Sequence, residues 1–257
     1  MEGELFNTWC HPLVARGCCE AGYSRIEGTS HPAPEMVTGT ENTEATHTVT
    51  QLYKDASLFN KYANYMKYEK RGLHCSILYQ EPADLPKSWS KWMLDLTRTN
   101  MKAHYEACPG WGWREREKKS ELAHPSARYL VAASSVAESE ENIAACNSEQ
   151  GCDVKPVAFL HFRFEVEDHK PILYLYELQL DNSVQRKGLG QFLVRLLELV
   201  AWQSGLSQLK LTVLNTNDGA GLFYKSMGFA LDQTSPSAVS LDAAPGYEIL
   251  SKKNPRL

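Results

Sequence analysis

The chain has 257 residues, 43% of them hydrophobic and 23% charged, enough to bury one sizeable core. Its formal net charge of -4 excludes a surface built to coat nucleic acid, because that affinity comes from many Lys and Arg neutralising phosphates. The most apolar helix-like run, FLVRLLELVAW, is short and broken by Arg195 and Glu198, and MEGELF has no basic leader, so neither membrane spanning nor secretion is expected.

Residues 1–46 mix Gly, Pro, Ser, Thr and Glu without a sustained period and read as a flexible tail; residues 47–257 read as the folded domain. The seven cysteines follow no disulfide framework, which fits reduced thiols in an intracellular protein. Cys10, His11, Cys18 and Cys19 match no zinc spacing, and no H-E-x-x-H occurs, so no metal is expected.

Residues 53–68, rich in helix formers and aromatics, read as a helix ending at Arg71-Gly72, after which LHCSILY alternates as a strand. A second helix is expected over 88–106, where Trp89, Met93 and Leu96 form a stripe that Asn100 and His104 continue in polar form. CPGWGW reads as a turn exposing aromatics, and WREREKKSEL as a charged helix. Residues 128–133, 157–166 and 172–180 read as three strands of an antiparallel meander. Between the first two, residues 136–154 are acidic and nearly free of large hydrophobes, an insertion expected to be disordered. The remainder reads as a helix over 190–203, the strand LKLTV, a helix over 218–225, and closing strands near Phe229 and over 247–250. The order implies a mixed α/β layer architecture, a mostly antiparallel central sheet covered by helices.

VQRKGLGQFL lies where an apolar strand gives way to an apolar helix. Phe192, Leu193, Leu196, Leu197 and Val200 anchor that helix, leaving its first-turn N–H groups free to meet an anion. Gly188 and Gly190 let backbone approach a ligand closely, and Arg186 and Lys187 add positive charge. A P-loop is excluded because G-x-x-x-x-G-K-[ST] is absent, and a dinucleotide fingerprint because Leu193 stands where glycine is required.

Gln185-Arg186-Lys187-Gly188-Leu189-Gly190 resembles the pyrophosphate loop of the GNAT superfamily of acetyl-CoA-dependent N-acetyltransferases, and VLNTNDGAGLFYKSMGF is similar to that superfamily's second signature. The resemblance implies a sheet whose strands splay apart after Leu180 and a pantetheine arm paired with backbone at Leu178 and Leu180. It also implies Asn217 touching the cofactor, and Tyr224 as either the acid that protonates the departing thiolate or a core aromatic. On the strand LYLYELQL, the two-residue period puts Tyr174 and Tyr176 on one face and Glu177 on the other unless a bulge re-aims it. A carboxylate within a buried strand is costly without a partner or a task. Glu165 and Glu167 share the face of the neighbouring strand with His161 and Arg163, opposite the apolar Ala158, Leu160, Phe162 and Phe164.

From about residue 53 to 252 the chain further resembles NatD-type N-terminal acetyltransferases, through TRTNMKAHYE, WGWREREKKSEL, VAFLHFRFEVE, LYLYELQL and GYEILS. That resemblance implies a monomer of nucleus and cytoplasm whose protein partners are the amino-terminal tails of histones 4 and 2A. It implies a Ser-Gly-Arg-Gly start with Glu165 and Glu167 on the arginine, and Tyr174 and Tyr176 on the amine and peptide backbone. Glu177 would be the base or water-positioning group, and Trp111 with Tyr247 would wall the cleft. Glu165 departs from the pattern, standing where relatives carry Asp. Two rivals stay open: a GNAT enzyme acting on lysine side chains or a small amine, and an acyl-CoA-binding scaffold without chemistry.

Overall fold

The computed structural model describes residues 40–135, 154–239 and 246–257. The region read as a tail, with Cys10, His11, Cys18 and Cys19, lies outside the described residues up to position 39, as does the insertion over 136–153.

Helix α1 spans Thr40–Lys54, starting inside the expected tail, and Ala45 is already buried. The helix expected over 53–68 does not form. Asp55 Oδ1 accepts from the Ser57 N–H (3.0 Å) and hydroxyl (2.7 Å), a local turn that competes with helical backbone bonding. The chain continues as a 3-10 helix, Asn60–Tyr65, and strand β1, Lys67–Lys70, so that Phe59, Tyr62 and Tyr68 reach the core by tertiary packing. Tyr53, whose hydroxyl donates to the Phe164 carbonyl (2.9 Å), fastens α1 to the sheet.

Elsewhere, apart from a short helix over residues 236–239 that the sequence reading does not include, the elements follow the sequence pattern. Strand β2 (Leu73–Gln80), α2 (Lys87–Ala107), α3 (Glu115–Leu122), β3 (Arg128–Ser135), β4 (Val154–Glu167) and β5 (Lys170–Leu180) precede α4 (Leu189–Gln203), β6 (Gln208–Leu214), α5 (Asp218–Ser226), β7 (Ala230–Leu231), α6 (Pro236–Val239) and β8 (Tyr247–Lys253). The strands form one sheet in the order β1-β2-β3-β4-β5-β6-β8-β7. Only β5 and β6 are parallel, as their connection through α4 requires.

Both faces of the sheet are covered, which is why β4 is buried along most of its length. On one face Leu193, Leu197 and Val200 of α4 pack on Leu160, Phe162, Leu173 and Leu175. On the other, Trp89, Met93 and Leu96 of α2 meet Tyr129, Val131 and Phe159. Two irregularities shape the centre. The β5–β6 pairing ends at Leu175 opposite Leu211, so the strands part before Leu180, earlier than expected. In the β4–β5 pair, His161 faces Glu177 and Phe162 faces Leu175, which leaves Tyr176 as the extra residue of a β-bulge. Among the described residues no helix is long and apolar enough to cross a membrane.

Candidate active site

The loop after β5 is assembled from local bonds. Asp181 Oδ1 accepts from the Ser183 hydroxyl (2.6 Å) and N–H (2.9 Å), winding Asn182–Val184 into a single 3-10 turn. Those bonds, the hydroxyl first, hold the Asp181 carboxyl below its usual range. Gln185 Nε2 donates to the Leu180 carbonyl (3.1 Å) and to Asn182 Oδ1 (3.0 Å), tying the turn to the strand end. Arg186 takes φ +59 and Gly188 φ +87, reversing the chain into α4. A Cβ on Gly188 would stand 2.8 Å from the Tyr68 hydroxyl oxygen, and that hydroxyl donates to the Lys187 carbonyl. Gly190 is different: a Cβ there would make only ordinary contacts of 3.6–3.7 Å with Leu178 and Leu180, so the packing does not demand glycine. No side chain caps α4, and Leu189 is fully buried beneath its first turn.

Beyond the Leu175–Leu211 pair the parted strands enclose a cavity of about 80 Å³. Tyr176, Glu177 and Leu178 line it from β5, Trp111 and Lys118 from the α2–α3 side, and Asn217 and Tyr224 from α5. Asn217 caps α5, its Oδ1 accepting from the Ala220 N–H (3.1 Å). The Tyr224 ring packs edge-on against Phe223 and Phe229. Its hydroxyl makes no hydrogen bond among the described residues, and burial, reinforced by the Glu177 charge, pushes its pKa up. The Leu180 carbonyl receives amide donors from Asn100 (3.2 Å) and Gln185, the first supplied by the polar continuation of the α2 stripe.

The bulge at Tyr176 changes the expected facing of Glu177. One extra residue reverses the alternation, so Tyr174, Tyr176, Glu177 and Gln179 all lie on the face that α2 and α3 cover. Both carboxylate oxygens of Glu177 are engaged: Oε1 by the Lys118 ammonium (2.6 Å) and Oε2 by the Gln179 amide (2.7 Å). Lys118 also reaches Glu121 (2.7 Å), and Lys118, Glu121 and Glu177 are each nine-tenths or more buried. Desolvation works against the Lys118 charge, yet the Glu121 and Glu177 carboxylates hold its pKa well above the usual value. Burial pushes the neighbouring Tyr105 hydroxyl up to about 12.

The residues expected on a substrate arginine behave unequally. Glu165 Oε1 accepts from the Tyr176 hydroxyl (2.5 Å), and burial raises its carboxyl pKa against that bond and the Arg163 charge. Arg163 stacks over Tyr176 at 4.1 Å and donates to the Glu121 carbonyl (2.9 Å), so it braces the same face. Glu167 is taken by the buried Lys210, which also pairs with Asp232 (3.1 Å). The Tyr174 hydroxyl meets Thr212 Oγ1 at 2.5 Å across the β5–β6 pair. Tyr247 is buried edge-on against Trp111, with ring centroids 5.3 Å apart, and stays outside the cavity lining, whereas Trp111 faces it.

Lys118, Glu121 and Gln179 were not singled out from sequence. In EREKKSEL, Lys118 and Glu121 look like a solvated i,i+3 pair. Only the position of Lys118 one turn before the buried Leu122 marks that side of the helix as inward.

A sequence profile of the acetyltransferase (GNAT) family matches residues 98–229, just over half of the chain. The chain belongs to that family. The match runs from the middle of α2 to Phe229 and so includes the parted strands, the loop and Tyr224. As a GNAT acetyltransferase the protein uses acetyl-CoA as acyl donor, and the mixed α/β sheet covered by helices is the architecture of that family. Solved structures similar to the chain include the PaiA N-acetyltransferase of Thermoplasma acidophilum in complex with coenzyme A, 16% identical with a TM-score of 0.45 over 69% of this chain and 99% of that one. NAA60 of Arabidopsis thaliana, solved with a bisubstrate analogue, is 11% identical with a TM-score of 0.45 over the same shares.

The loop's chemistry fits the diphosphate of acetyl-CoA: uncapped helix N–H groups, two cationic side chains, and a glycine at 190 that the packing itself does not require. Among the described residues no His, Cys, Asp and Glu cluster could hold a metal ion.

Proposed function

We propose that this GNAT enzyme is a NatD-type N-terminal acetyltransferase, acting on the α-amine of chains that begin Ser-Gly-Arg-Gly, as histones 4 and 2A do. The observation that carries the reading is the common face of β4 and β5, on which Glu165, Tyr174, Tyr176 and Glu177 lie together beside the parting of the sheet. An α-amine has a pKa of about 7.7–8.0, so a modest push yields the neutral nucleophile that a thioester needs. Acetyl-CoA supplies the activated acetyl group.

Glu177 is the candidate to orient a water or take the ammonium proton, because it is the carboxylate that reaches the cavity. Tyr224, kept protonated by burial and without a protein partner for its hydroxyl among the described residues, is suited to give a proton to the leaving thiolate sulfur. Trp111 narrows the opening, backed by Tyr247, and Tyr174 and Tyr176 bound the amine side. Glu165 is the better placed anion for the substrate arginine, since Glu167 is already paired with Lys210. Work as a monomer in nucleus and cytoplasm goes with this reading.

The test is turnover of a Ser-Gly-Arg-Gly peptide beside the same peptide with a blocked α-amine. Acetylation confined to the free terminus is expected. Equal modification of both would move the activity to a side chain and favour the lysine or small-amine alternative.

A further inference from the structure

The buried ion cluster beneath the cavity is not explained by any role so far given to the loop, the tyrosines or Glu165. Lys118 bridges Glu177 (2.6 Å) and Glu121 (2.7 Å), and its side chain is only 4% exposed. Two carboxylates share one ammonium in a region nearly closed to water, with the Arg163 guanidinium bonded to the Glu121 carbonyl (2.9 Å) beside them. A buried cluster of this kind is not an efficient stabiliser, since desolvation commonly offsets the attraction. Its geometry has a directional consequence instead. Glu121 approaches Lys118 from the same helix, three residues on, while Glu177 approaches from a strand 59 residues away, so α3 presents a pre-aimed cation to the β5 bulge. The cation stacks 5.5 Å over the Tyr105 ring, which limits its alternative positions.

We propose that Lys118 and Glu121 form a positioning pair for the acetyl-transfer site: Lys118 aims the Glu177 carboxylate at the cavity, and Glu121 holds Lys118 in place from the same helix. This rests on the reading of Glu177 as the group that handles the amine proton. A cation beside a carboxylate favours the charged form and a second carboxylate opposes that, so removing Lys118 or Glu121 has opposite, readable effects at Glu177.

Other groups face Glu177 as well. Tyr105 of α2, Tyr129 of β3 and Tyr224 of α5 each feel its charge, and His161 and Arg163 lie along β4, His161 directly opposite. Tyr105, Tyr129 and Tyr224 have raised pKa values, which keeps them neutral in the acid range. His161 is therefore the group that could be confused with Glu177 in a pH profile.

The experiment follows the acid limb of kcat/KM against pH in the full chain, using whichever amine the enzyme accepts. In parallel, the protonated-carboxyl infrared band that Glu177→Gln removes is titrated without turnover. Lys118→Met should move both limb and band upward by about one to three pH units. Glu121→Gln should move them downward, and Lys118→Arg should restore the wild-type position. A purely structural role would lower activity or thermal stability with the limb unmoved. If Lys118→Met does not fold, the downward shift in Glu121→Gln and the rescue by Lys118→Arg still decide the matter. An unmoved band in Glu121→Gln, or a limb that persists in Glu177→Gln and so belongs to His161, overturns the inference. Rejection of the Ser-Gly-Arg-Gly peptide with the shifts intact counts only against the proposed substrate.

Discussion

The loop from Asp181 to Gly190 follows the end of β5, and the charged face of β4, β5 and α3 surrounds its middle, where Lys118 and Glu177 line the cavity; the two are built in opposite ways. In the loop, the bonds of Asp181 with Ser183 and of Gln185 with Asn182 and Leu180 span two to five residues, and the dipole of α4 follows immediately. The charged face draws Lys118, Arg163, Glu165 and Glu177 from three elements, and its central ion pair joins residues 59 apart. The loop offers backbone donors and two cationic side chains, Arg186 exposed and Lys187 part-buried, a means of binding an anion built from consecutive residues. The charged face is desolvated and ion-paired, so a change there alters protonation and stability together.

That contrast breaks most visibly at Glu177. Glu177→Gln should lower kcat/KM by roughly 10²–10⁴-fold, the range of a lost general base, while calorimetric affinity for acetyl-CoA stays at the wild-type value. Loss of both would mean that the two regions are not separable.

The next effect is on stability. Asp232 is desolvated, which alone would raise its pKa, but hydrogen bonds from Ser251 and Thr234 and the charge of Lys210 lower it to about 2. A depressed carboxylate stabilises the fold above its unfolded pKa and loses that contribution as pH falls through the folded value. Asp232 should therefore contribute on the order of 2 kcal/mol that is fully present at neutral pH and lost between about pH 4 and pH 2. Thermal melts across that window should show a shallower acid decline in Asp232→Asn than in wild type, with acetyl-CoA affinity unchanged at neutral pH.

A smaller change is expected in the loop itself. Gly188→Ala forces a side chain into φ +87 and against the Tyr68 hydroxyl, so chemical denaturation should register a loss of about 1–2 kcal/mol, accompanied by weaker acetyl-CoA binding. Smallest is Arg186→Ala, an exposed cation beside the helix start. It should weaken acetyl-CoA by about 0.3–1 kcal/mol, an effect that shrinks as salt rises in the same titration.

The same division explains what could be read from sequence. The loop was legible because glycine, cations and an amphipathic helix occur consecutively, and each carries a local physical meaning. The strands 172–180 and 209–213 were legible from their apolar runs, but the bulge at Tyr176 was not, since a one-residue slip leaves no mark in a two-residue period until the partner strand is known. For that reason the sequence puts Glu177 opposite Tyr176 unless a bulge re-aims it, and the pairing with β4 shows that bulge. The expected helix over 53–68 failed for a different cause: Asp55 and Ser57 close a turn, and burial of Phe59 and Tyr62 overrides propensity. Lys118 was invisible because a lysine among EREKKSEL looks solvated until β5 is placed beneath it.

The division of labour between the two regions is tested most directly by calorimetric titration of acetyl-CoA into the folded wild type, Glu177→Gln and the double variant Arg186→Ala with Lys187→Ala. Binding should be equal in the first two and weaker in the third. Intact binding in the double variant together with loss in Glu177→Gln would contradict it.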